Sequence, residues 1–141
     1  MLSTAQHIQS SLSKCAAAGL DTVSIATKVV SVWRDIDVAL SPIIGHRGAA
    51  ALFGRSLHLT RADHAWLTAV HESMADQIDF TAFQSTLSQQ TVAHVVALND
   101  ALLQKFVEQL TNLIGVSLTE RLLRPVVDIH STGDAAQETS P

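Results

Sequence analysis

Apolar residues recur at three- and four-residue spacing through nearly the whole chain and nowhere alternate for long, so helices rather than strands must build the fold. The longest run sets Val92, Val95, Val96, Leu102, Leu103, Phe106, Leu110, Leu113 and Ile114 on one stripe that ends at Gly115. Joined to the segment before it, this would make a helix of about 35 residues and about 52 Å. A compact chain of this length has a radius of gyration of about 14 Å, so a break near Ser88-Gln89-Gln90 is expected.

Upstream, Ala5, Ile8, Leu12 and Cys15 form a narrow stripe ending at Gly19. Asp21 is an N-cap residue, since its carboxylate accepts the orphan N–H groups of a first turn. The helix it opens carries Ile25, Ala26, Val29, Val30, Trp33, Ile36 and Leu40 on one face. Ser41-Pro42 reads as a cap with proline in the first turn of a third helix across residues 43–55. That helix holds Gly45, Gly48 and Gly54, each costing about 1 kcal/mol relative to alanine, which implies a close approach by backbone or ligand. Asp63 caps a short helix with Trp66, Leu67, Val70 and Met74 inward, and Asp79 caps another with Phe80, Phe83 and Leu87. Ser117-Leu118-Thr119-Glu120 has the spacing of a capping box, and Pro125 should end or kink the helix it opens. The expected fold is all-α: a single-domain bundle of about six helices over residues 1–130, with a disordered tail over 131–141.

Charge narrows the function. Nine basic against thirteen acidic residues give a net charge of −4, which argues against a general nucleic-acid binder. Charged residues are 16% of the chain against about 25% in typical soluble domains, so apolar surface is left for a partner, with a homodimer as one outcome. The single cysteine, Cys15, cannot form an internal disulfide, and the opening Met1-Leu2-Ser3-Thr4-Ala5-Gln6-His7 has neither a basic start nor an apolar run. No stretch approaches the roughly 20 apolar residues of a membrane span. A cytoplasmic protein is expected.

Between His46 and His64 the sign of the charge reverses locally: Arg47, Arg55 and Arg61 stand with His46 and His58 against one acid, Asp63. Guanidinium forks suit carboxylate or phosphate, so this stretch is the candidate face for an acidic partner or small anion. The competing reading is internal pairing with Glu72, Asp76 and Asp79. Seven histidines raise other chemistries. His64 and His71, two helical turns apart, lack the i, i+4 spacing of a metal helix, and no metal site is assigned. His64 and His94, 30 residues apart, allow haem or another apolar cofactor in a globin-like sensing bundle using His64, His71 or His94, against which stand the early position of His94 in a long helix and the interruption at Pro125. His94 is also the candidate phosphoacceptor of a phosphotransfer module, although Val95-Val96-Ala97-Leu98 gives it an apolar neighbourhood. No nucleophile elbow, phosphate loop or dinucleotide fingerprint occurs, and Asp35 and Asp37 point to different helix faces, so a non-catalytic protein is expected. Asn99 interrupts the long apolar stripe, either to fix register in a helix pair, in which case Asn99→Leu raises the melting temperature, or at the stripe's edge.

Through Ile44-Gly45-His46-Arg47-Gly48 and through Leu113-Ile114-Gly115 with Leu118-Thr119-Glu120-Arg121-Leu122-Leu123-Arg124, the chain resembles small helical modules associated with bacterial signal-transduction proteins. The resemblance covers about a quarter of the chain, carries over no catalytic residue, and implies a regulatory or adaptor module with a signalling protein as partner. Whatever the function, Trp33 and Phe106 sit on core stripes: truncating either to alanine is expected to cost about 3–5 kcal/mol in denaturant unfolding.

Overall fold

The computed structural model describes residues 4–62, 64, 66 and 78–139, with side chains described for 5–62, 64, 66 and 78–128. Within them the fold is all-α, with five helices: α1 (Thr4–Ala17), α2 (Thr22–Thr60), α3 (Phe80–Ser88), α4 (Val92–Ile114) and α5 (Val116–Thr139). No strand occurs among the described residues. The expected helix after Asp63 falls mostly on residues outside this set. Trp66 alone represents it, half-buried against the core.

Local chemistry explains each boundary. At the end of α1, Gly19 takes φ +89° while Leu20 N–H reaches Cys15 O and Gly19 N–H reaches Ala16 O, the paired bonds of a Schellman stop. Asp21 then accepts the Ser24 N–H at 2.9 Å, and the hydrogen bonds from Ser24 hold its carboxyl below the usual aspartate range. Asp79 and Thr91 cap α3 and α4 in the same way, accepting from Ala82 N–H and His94 N–H. The chain breaks at Gln89–Thr91, so the long stripe does belong to a separate helix, α4.

Three boundaries differ from expectation. The second and third expected helices do meet at a break, but it falls at Gly45 (φ 77°, ψ 164°) rather than at Ser41-Pro42, so α2 consists of two helical halves joined across a kink. The last helix opens at Val116 rather than at a Ser117 cap, since the Gly115 carbonyl receives both the N–H and the hydroxyl of Thr119. It also runs through Pro125 rather than ending there, with its backbone helical to Thr139.

One core holds the bundle. Trp33 from the first half of α2 meets Phe53 from the second half and Phe106 from α4, each edge-on with centroids 5.0 Å apart, and Phe83 of α3 meets Phe53 at 5.4 Å. Helix α1 lies across α4 and α5 through Ile8 and Leu12, and α5 closes the side of α2 with Leu123, Val126 and Val127. Asn99 is at the centre of this core rather than at the stripe's edge: it is 0% exposed, and its Oδ1 accepts the Trp33 indole N–H at 2.8 Å. Beside it, burial pushes the Asp100 carboxyl above the usual aspartate range.

The effect expected for Asn99→Leu therefore reverses. Leucine restores the apolar stripe but leaves the buried indole N–H without an acceptor. The variant is expected to lose about 1–3 kcal/mol of stability in chemical denaturation rather than gain any.

Candidate functional site

The second half of α2, residues 46–60, has two sides of different chemistry. Ala49, Ala50, Phe53, Ser56, Leu57 and Thr60 are buried against the bundle. At about 100° per residue, Arg47, Ala51, Arg55 and His58 project from roughly the opposite side, and all four are exposed. Arg61, half-buried, caps the helix with its N–H on Leu57 O at 2.9 Å. From Arg47 to Arg61 this face is about 21 Å long, and the sequence places no acid between Gly45 and Ala62.

The helix is anchored from beneath. Gln109 of α4 donates from Nε2 to Ser56 Oγ at 2.8 Å, while Ser56 donates to Leu52 O at 2.8 Å. With Phe53 locked between Trp33 and Phe83, the basic face is carried on a rigid element, the arrangement that suits recognition by preset charge. A guanidinium fork can take a carboxylate in two parallel hydrogen bonds, and on this face Arg47 and His58 already have an interaction within the chain.

Four of the five sequence-predicted residues thus share this face or its edge. His46 does not. It sits at the bend, where its Nδ1 lies 2.9 Å from Ser41 Oγ and 3.9 Å from Asp37 Oδ2, and Ser41 Oγ also donates to Asp37 O at 2.7 Å. Serine, histidine and aspartate here do not form a proton relay, because Ser41 and Asp37 both face the same ring nitrogen. Their effect is to tie the two halves of α2 across the bend. His46 and Asp37 also line a cavity of about 170 Å³ with Ile78 and Phe80, and the Arg34 guanidinium lies 5.1 Å above the Phe80 ring.

The remaining candidates scatter. His64 is half-buried, with its ring 6.0 Å from Trp66, and His94 is exposed on the first turn of α4. His71, with Glu72 and Asp76, lies outside the described residues. Asp79, the third acid of the pairing alternative, is engaged as the α3 cap. The space among α2, α3 and α4 is filled by the rings of Trp33, Phe53, Phe83 and Phe106. Among the described residues no group of three or more His, Cys, Asp or Glu side chains is arranged to hold a metal ion, and no helix is long and apolar enough to cross a membrane.

In the glycine-rich stretch the close approach comes from within the chain: a Cβ at Gly48 would stand 3.1 Å from Ile44 Cβ across the bend, and Gly45 supplies the positive φ of the bend. No family model, curated protein or solved structure matches the chain.

A Cβ at position 45 would meet nothing within 4 Å, so Gly45→Ala isolates the cost of the backbone conformation. It is expected to destabilise by about 1–3 kcal/mol in denaturant unfolding, with little loss of helical circular dichroism.

Proposed function

We propose that this chain is a non-catalytic regulatory module that docks an acidic protein surface on the Arg47, Arg55, His58 and Arg61 face of α2. The observation that carries the reading is the exposure of Arg47, Arg55 and His58 on the second half of α2, residues 46–60, whose other side is locked into the core and which holds no acid. In a chain of net charge −4 such a face attracts an acidic partner while the rest of the surface repels it, which favours one docking orientation. A small anion bound by the same forks is the lesser form of the same chemistry.

The likeness of residues 44–48 and 113–124 to bacterial signalling modules supports a signalling protein as the partner. A cytoplasmic setting agrees with the lone Cys15 thiol, which is half-buried in α1 and packed against the core.

Reversing two charges tests the reading. Arg47→Glu with Arg55→Glu is expected to weaken capture of the partner by the tagged chain at least tenfold, equivalent to about 1.4 kcal/mol, with helical content unchanged. Capture by the parent chain should also weaken as salt is raised. Equal retention by parent and variant, read by quantitative mass spectrometry, would remove this face from the function.

A further inference from the structure

Away from the basic face, the first half of α2 and the middle of α5 enclose a groove of about 290 Å³ lined by Val38, Ala39, Leu122, Pro125 and Val126, with Asp35 and Arg121 also on its walls. Val38 is 70% exposed, a β-branched side chain standing in water at the lip of an apolar floor. A knob and a hollow therefore occur on one surface. So do one carboxylate and one guanidinium.

We propose that this groove is the interface for a second copy of the chain, paired about a twofold axis. Twofold pairing places the same patch against itself, so each residue's partner must lie within the patch. Here that condition is met twice. Val38 of each copy enters the other's groove over Leu122, Pro125 and Val126, and Asp35 of each copy faces Arg121 of the other. Asp35 also has an interaction within its own chain, which leaves the contact across the axis to its remaining acceptor capacity. Pro125 adds a polar feature, since without an N–H it leaves the Arg121 carbonyl lacking its usual helical donor. A partner of unrelated sequence would need its own apolar knob and its own pair of opposite charges at matching spacing, whereas a second copy carries both on the surface already in contact. The low overall charge lessens the repulsion between copies.

Light scattering coupled to size exclusion on the full chain tests this, with circular dichroism on every sample. The parent is expected to show twice the 15.1 kDa chain mass. Val38→Glu, a change at an exposed position, should give the chain mass with unchanged helicity, as should Arg121→Asp alone. Combining Asp35→Arg with Arg121→Asp exchanges the two charges and should restore the doubled mass. A parent that stays at the single-chain mass as concentration is raised overturns the proposal. So does a dimer that survives Val38→Glu or Arg121→Asp, which would place the interface elsewhere, or an exchange variant that remains monomeric. Because Arg47 and Arg55 lie outside the groove, loss of partner capture in the Arg47→Glu, Arg55→Glu variant leaves this mass unchanged, and the two ideas fail separately.

Discussion

The hydrogen bond from the Trp33 indole to Asn99 is the contact around which the bundle is organised. A tryptophan at the centre of a core brings a large apolar area together with one N–H that must find an acceptor. Asn99 supplies it on α4, 66 residues away in sequence, and thereby fixes how α2 is rotated and translated against α4. Phe53 and Phe106 can then meet Trp33 edge-on, and Phe83 brings in α3 through Phe53. A wholly apolar contact would tolerate sliding by one helical turn. A hydrogen bond at 2.8 Å between two fully buried side chains does not, because every slipped register leaves the indole or the amide oxygen desolvated and unpaired.

The bend at Pro42 and Gly45 turns that fixed register into an orientation for the surface. A straight α2 of 39 residues would be about 58 Å long and could not keep both halves against one core. Pro42 removes an N–H from the helix and Gly45 takes a φ that other residues adopt at a cost, so the direction changes over a few residues. Asp37, Ser41 and His46 span the bend with side-chain contacts. Beyond it, Phe53 on one side of the helix is held by rings from two other segments, and on the other side Arg47, Arg55 and His58 are displayed. The position of the positive charge is in this sense a consequence of core packing.

The helices and most of their caps were legible in the sequence because both are local. Three-four spacing reports which side of a helix is buried, and Asp21, Asp79, Gly19 and Gly115 act within a turn of themselves. The basic face was legible for the same reason, since its residues share one helix. What could not be read depends on distant partners. Asn99 looks like an interruption until Trp33 is placed opposite it. Pro42 and Gly45 do mark the junction of two helical halves, but sequence does not say that the break falls at Gly45 rather than at Pro42. His46 belongs in spirit to its basic neighbours but is drawn to Asp37 and Ser41 once the bend brings them together. The groove had no sequence signal, as Val38 and Pro125 lie 87 positions apart and become neighbours only when α5 packs on α2.

These constraints leave the two ends of α2 with different surfaces. Beyond the bend, charge is concentrated in one sign and the helix is backed by aromatic packing, so an encounter there is steered by field and governed by salt. Before the bend, the surface beside α5 is apolar with balanced charge, so association there depends on shape and on removal of Val38 from water. A single straight amphipathic helix has one buried and one exposed side and would spread its exposed residues along one line. The kink at Gly45 breaks that line, so the two helical halves of α2 present two separate surfaces, each backed by the same Trp33–Asn99 core.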